Sequence, residues 1–383
     1  MTPMKELKLP MKQLIAVILC LTLLLAGCGN NGDSQSVSNS SQGNAETAAT
    51  PQPLMPPEAA TYPLTGVGME GEVYRPAAVM VNHDPTAALR QWGLSSASVI
   101  VEALTEGETT NWMLWFDSLG SVPKVGPVAQ GKDLFWQFAM PMNSILVQKG
   151  MNTYAENLLN CYGWQPLDAF MLGVNSYDYD GSDPAMPVEY NWYTQGETLQ
   201  HGADHYQMPQ IGPVKSWQYF GVPRNGAAAA SVTVQFSERQ VTTLRYETDG
   251  WQLYRPDGEL QLDANNGLPV KVNNVLVLCS TPSVKDNKFT REYDLSGGEG
   301  LYLVNGTWQK ITWKKGGPEN RLELYSEDGS QLVIAPGKTY MAVYGGFAGQ
   351  ALTVQNAEGQ ILYPAQEPAA EPAAEENPVA PAV

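Results

Sequence analysis

The chain has 383 residues, with 22 Lys and Arg against 39 Asp and Glu, and a formal net charge of −17. A surface that acidic repels phosphate backbones and anionic headgroups, which argues against nucleic acid as a partner. It also disfavours anionic wall polymers, unless a local basic patch or a cation intervenes.

Residues 1–27 read as a lipoprotein signal peptide. Lys5, Lys8 and Lys12 give a positive front, and residues 14–25 are apolar except for Thr22. That core is about a dozen residues, short of the ~20 that cross a bilayer as a helix. Leu25-Ala26-Gly27-Cys28 resembles a bacterial lipobox, in which the cysteine is acylated and becomes the mature N-terminus. One acyl chain anchors a protein only marginally, so two or three are expected on Cys28. The expected location is the extracytoplasmic face of the cell membrane, held through lipidated Cys28. Removing the signal takes away three lysines and one glutamate, which deepens the negative charge by two. Cys20 leaves with it. Cys161 and Cys279 remain, and two buried thiols are the preferred reading over a disulfide.

Residues 28–61 are rich in Asn, Ser, Gln, Ala and Pro and read as a disordered tether. Residues 62–224 read as an α/β domain on a mixed sheet. Ala77-Ala78-Val79-Met80-Val81, residues 99–104 and Trp112-Met113-Leu114-Trp115-Phe116 are apolar nearly throughout, as strands covered on both faces are. Residues 144–148 supply a fourth strand. Residues 134–138 belong to a helix, and 153–159 to another, with Thr153 placed to cap it and Glu156 to complete a capping box.

Residues 225–363 change to short strands and turns, a mainly antiparallel β domain. Asp249-Gly250, Asp257-Gly258, Asn266-Gly267, Asn305-Gly306 and Asp328-Gly329 repeat the type I′ hairpin signal. The clearest strands are 272–278, 301–304, 308–313 and 340–344, with a last hairpin around Glu358-Gly359. Residues 364–383 are a Pro/Ala/Glu tail that reads as disordered.

Several motifs, in order, carry a family resemblance. They are Arg75-Pro76-Ala77-Ala78-Val79-Met80-Val81-Asn82, Gln91-Trp92-Gly93-Leu94, Glu102, Glu106-Gly107, Val125-Gly126-Pro127-Val128 and Asn191-Trp192-Tyr193-Thr194. Tyr254-Arg255-Pro256-Asp257-Gly258, Asn274-Val275-Leu276-Val277, Gly306-Thr307-Trp308 and Pro336-Gly337-Lys338-Thr339 follow in the second domain. Together they resemble the YerB-like lipoprotein family, a two-domain architecture whose molecular activity is not established. The resemblance implies architecture and location, and little chemistry. Where family members carry arginines, this chain has Leu89, Asn111, Ala129 and Lys132, so an anion site formed by those arginines would be lost or altered here.

The resemblance and the strand ends single out Asn82, Gln91, Glu102, Glu106, Asn111, Lys132, Asn191 and Tyr193 as candidate ligand-binding residues. Glu102, set in an apolar run, must be paired or protonated if buried, and Arg75 and Lys132 are the expected partners. The acidic run from Asp178 to Glu189 echoes a calcium loop but lacks its glycine, and His201 with His205 has no third ligand, so no metal is expected. There is no nucleophile elbow, phosphate loop or dinucleotide fingerprint, hence no cofactor. The function expected is non-catalytic binding of an envelope protein or of a glycan or peptide ligand. The alternative is an envelope enzyme acting on a cell-wall glycopolymer or its lipid-linked precursor, through a looser likeness in element order to the LytR-CpsA-Psr glycopolymer ligases.

Overall fold

Five consecutive apolar residues, Ala77-Ala78-Val79-Met80-Val81, are wholly buried, and they open strand β1 (Ala77–His83) within a large sheet. The computed structural model describes residues 60–173, 176–224 and 226–363. The lipobox, residues 28–59 and the tail 364–383 lie outside the described residues. Next to β1 come β2 (Val99–Glu106), β3 (Thr109–Phe116), β4 (Ile145–Gln148) and β5 (Leu167–Asp168). β3 runs antiparallel between β1 and β2, while β4 is parallel to β1.

Beyond β2 the sheet is continued by the second half of the chain. The strand Thr339–Tyr344 lies parallel to β2, and Asn274–Cys279 lies parallel to Thr339–Tyr344. Gly298–Val304, Thr307–Lys314 and Glu323–Ser326 follow as antiparallel neighbours, and the short Ala227–Ala228 pairs with Thr307–Lys314, giving eleven strands among the described residues. Strands buried on both faces can be apolar at every position, and this is why the runs in β1, β2 and β3 show no alternation.

One face of this sheet, carrying Ala78, Met80, Val101 and Met113, packs on helices α1 (Asp133–Ala139) and α2 (Thr153–Tyr162) through Phe135, Trp136, Ala155 and Leu159. The other face, carrying Val79, Val81, Ile100 and Leu114, packs on a second, wholly antiparallel sheet through Val232, Val234, Leu244, Trp251 and Val354. That second sheet is built from Ser231–Gln235, Val241–Glu247, Gly250–Tyr254, Lys271–Val272, Ala351–Gln355 and Ile361–Tyr363. Its strand Ser231–Gln235 buries alternate residues only, as expected with one face covered. The fold is α/β, a mixed sheet with helices in the first half and a mainly antiparallel second half.

Local details differ from the sequence reading. The expected strand 272–278 is two strands in two sheets. The chain leaves the second sheet at Val272 and enters the large one at Asn274, and the amides of Asn273 and Asn274 both donate to the Lys338 carbonyl. The cap of α2 is Asn152, whose side chain accepts from the Ala155 amide, so Thr153 is the first helical residue and caps nothing. Of the five hairpin dipeptides, Asn305-Gly306 alone has both residues at positive φ, 50° and 69°, between the paired Val304 and Thr307. In Asp257-Gly258, Asn266-Gly267 and Asp328-Gly329 only the glycine is left-handed, and Gly250 is already a strand residue paired with Glu247. Cys161 and Cys279 are free thiols. Cys161 is exposed on α2 and not buried as expected, while burial pushes the half-buried Cys279 thiol up to about 12.

Candidate functional site

β1, β2, β4 and Thr339–Tyr344 all run in the same direction, so their carboxyl ends gather at one edge of the sheet. Beyond Val79 and Val147, the last paired residues of β1 and β4, the segment around Gly126-Pro127-Val128-Ala129 lies between the two strands. The Asn82 amide donates to Pro127 O (2.8 Å), the Ala129 amide to Met80 O (2.9 Å) and the Lys149 amide to Ala129 O (2.9 Å). Gly126 has to be small, because a Cβ there would stand 2.8 Å from the Trp192 carbonyl oxygen. This wedge sets the polar groups at the edge.

On the helix side, Asn82 shares the face of Ala78 and Met80. Thr105 Oγ1 donates to Asn111 Oδ1 at 2.8 Å, and Asn111 Nδ2 reaches Asn82 Oδ1 at 3.5 Å. Lys132 Nζ is 2.9 Å from Glu106 Oε2, and Asn152 Nδ2 and Thr290 Oγ1 each lie 3.4 Å from Glu106 Oε1. Asn82, Glu106 and Asn111 are half-buried, whereas Lys132 is buried behind its carboxylate partner.

Glu102 is on the opposite face, at 0% exposure between the two sheets. His83 Nδ1 is 3.0 Å from its Oε1, Thr110 Oγ1 donates to Oε1 at 2.7 Å, and Tyr340 OH donates to Oε2 at 2.7 Å. From the facing sheet, Thr242 Oγ1 donates to both oxygens at 3.2 and 3.0 Å. Burial works against ionisation, but attraction to His83 and the hydrogen bonds of His83 and Thr110 outweigh it, holding the Glu102 carboxyl below its ordinary range. The His83 ring stacks on Trp112 with centroids 3.5 Å apart, and Gln240 Nε2 is 2.9 and 3.2 Å from its two nitrogens.

The eight candidate residues therefore do not form one surface. Asn82, Glu106, Asn111 and Lys132 come together at the helix-side edge. Glu102 is sealed between sheets and pairs with His83, not with Arg75 or Lys132; Arg75 instead donates to the carbonyls of Asn143 and Pro209. Gln91 is fully buried, its amide donating to Asn82 O at 2.9 Å, so it braces the edge from behind. Asn191 is buried too, its amide donating to Tyr179 OH and Met186 O. Tyr193 stands apart, half-buried, with Lys124 Nζ 4.1 Å above its ring and Trp92 against it. In the acidic run, Asp180 faces Arg90 and Lys124 at 3.4 and 3.7 Å. Among the described residues no three His, Cys, Asp or Glu side chains gather to hold a metal ion.

Sequence reasoning missed His83, Thr110, Gln240, Thr242 and Tyr340. A signal existed for His83 alone: period-two counting along β1 places it on the face of Val79 and Val81, the side that Glu102 faces.

Both halves of the chain match known families. Residues 64–209 match "Protein of unknown function (DUF3048) N-terminal domain" and residues 232–341 match its C-terminal domain. A Bacillus subtilis (strain 168) protein named "Putative lipoprotein YerB" is 30% identical over 297 residues, 73% of this chain and 85% of that protein. The crystal structure of YerB protein from Bacillus subtilis is similar with a TM-score of 0.68 at 25% identity, over 77% of this chain and 99% of that one.

Proposed function

This chain belongs to the YerB-like lipoprotein family, and on that premise we propose that it is a lipid-anchored envelope protein with a binding role and no catalysis. One observation carries the reading: the carboxylates that would serve as acid and base are already committed. Glu102 is closed off from solvent with both oxygens hydrogen-bonded, and Glu106 is held by Lys132. A general acid or base must reach the proton it moves, and neither group is free to do so.

The residues at the positions where relatives are expected to carry arginine support the same reading. Asn111 and Lys132 belong to the helix-side edge cluster and Ala129 to the wedge beside it, and the one cation among the three is spent on Glu106. The edge is thereby close to neutral and offers amides and hydroxyls, which suit a polar, uncharged stretch of an envelope protein, glycan or peptide. Lipidation at Cys28 and an extracytoplasmic location complete the proposal. Among the described residues no helix is long and apolar enough to cross a membrane.

The test is capture from native envelopes with the full-length protein. Asn82→Ala with Asn111→Ala should reduce the captured partner about tenfold while the melting temperature stays within a few degrees, and Cys28→Ala should move the protein out of the membrane fraction. Unchanged capture by the double variant overturns the site. Turnover of a wall precursor by the purified protein favours the enzyme.

A further inference from the structure

Past the carboxyl ends of β4 and β5, aromatic side chains from separate elements line up on the surface. Phe170, in the turn of helix that follows β5, is 59% exposed, and Tyr179, cross-strand partner of Trp192, is 46% exposed. The Lys149 ammonium lies 4.8 Å from the centre of the Phe170 ring and 4.9 Å from that of Trp192. The Tyr179 ring meets Trp192 edge-on, with centroids 5.1 Å apart. The order along this strip is therefore Phe170, Lys149, Trp192, Tyr179. A single exposed aromatic is ordinary, but a contiguous row of them marks a binding surface.

Each ring is fixed from behind. A Cβ at Gly150 would stand 2.8 Å from Phe170 Cε2, so the ring is seated where that glycine has no side chain. The Trp192 carbonyl accepts from the Val128 amide at 2.9 Å, and Tyr179 OH accepts from Asn191 Nδ2 at 3.2 Å. Rings ordered in advance lose less freedom when a ligand covers them. Two donors on the strip are unused. Neither the Lys149 ammonium nor the Trp192 indole N–H makes a hydrogen bond or ion pair among the described residues, and neither is sealed from solvent. Partial burial lowers the Lys149 pKa, with Asp168 and Glu189 pulling the other way. The Asp168 carboxylate is already taken by the Gly150 and Phe170 amides and by Gln148 Nε2.

We propose that this strip binds a short run of neutral, N-acetylated sugars. The C–H faces of the sugar rings lie on Phe170, Trp192 and Tyr179, where the negative face of each aromatic ring attracts them. Acetamido carbonyls and hydroxyls accept from Lys149 Nζ and Trp192 Nε1. The strip is about 15 Å long and one side chain wide, far below the ~800 Å² that each partner gives to a stable protein interface. A narrow linear chain fits it and a folded partner does not. Asp168 and Glu189 beside the one lysine work against a polyanion. The strip shares no residue with the edge cluster, so the two sites stand or fall separately.

Titration calorimetry of the full-length protein in a sugar-free detergent, with N-acetylglucosamine, its β-linked tetramer, cellotetraose and polyglutamate, tests the assignment. The N-acetylated tetramer should bind with a Kd below about 1 mM, at least about tenfold tighter than its monomer, cellotetraose or polyglutamate. Phe170→Ala and Tyr179→Ala should each weaken it about fivefold or more, with the melting temperature within a few degrees of the parent. Lys149→Met, which keeps the apolar stem and removes the ammonium, should weaken it by a similar factor. Tyr219→Ala, at an exposed tyrosine elsewhere, and Asn82→Ala with Asn111→Ala should bind as the parent does. No saturation by the tetramer up to about 10 mM, or equally tight binding of cellotetraose or polyglutamate, overturns the proposal. So does parental binding by Phe170→Ala and Tyr179→Ala, or loss of binding in the Asn82 and Asn111 double variant.

Discussion

Glu102 occupies a position where its neighbours Val101 and Ala103 are apolar and fully buried, and only hydrogen bonding makes a charge tenable there. Removing one member of a buried pair leaves the other unpaired, so Glu102→Gln should cost about 3–5 kcal/mol, read as a lower urea midpoint at pH 7. The pH dependence has a definite sign. The native carboxyl is held below its ordinary range, so as acid is added the unfolded chain takes up this proton first. The stabilisation is complete above about pH 4.3 and is lost as pH falls through the lower native value. The gap between parent and Glu102→Gln should therefore narrow in acid, and a gap that widens would contradict the pairing. The sequence pointed to Glu102 as the anomalous residue. It named the wrong partner, because a cation far along the chain looks as good as a histidine facing it across a strand.

For single elements, a helix start shows the limit of local signals. Asn152-Thr153 offers two capping residues in succession, and Thr153 with Glu156 fits the capping-box spacing, yet the backbone turns helical one residue earlier. Asn152→Ala should lose about 1 kcal/mol of stability, whereas Thr153→Ala should change it by less than about 0.5 kcal/mol, both read from urea midpoints. The reverse order would restore Thr153 as the cap. The strands were legible where burial on both faces left an apolar run, as in β1 and β3. They were misread where two sheets meet in one run, since apolar β-formers stand on both sides of the corner and only Asn273-Asn274 marks it.

In the whole molecule, the two domains share a sheet. Thr339–Tyr344 pairs with β2, and the second sheet covers the face that β1, β2 and β3 present to it. Residues 60–224 alone would expose an unpaired, apolar edge at β2 and one bare face of the sheet. The full-length protein should therefore unfold in one transition, with tryptophan fluorescence and far-ultraviolet circular dichroism coincident, and residues 60–224 expressed alone should show no cooperative melt. Two separated transitions would mean that the halves fold independently.

The amino-acid sequence by itself determined where chain segments become strands, where most turns fall and which family the molecule resembles. Those features rest on neighbours within a few residues: apolar runs, glycines at left-handed positions, short motifs in order. The tertiary structure alone decided that Glu102 meets Thr242 and Tyr340, and that the second half of the chain completes the sheet of the first. Contacts across more than a hundred residues leave no periodic trace. Which strand becomes whose neighbour is settled by the packing of whole faces, and that is a property of the assembled chain.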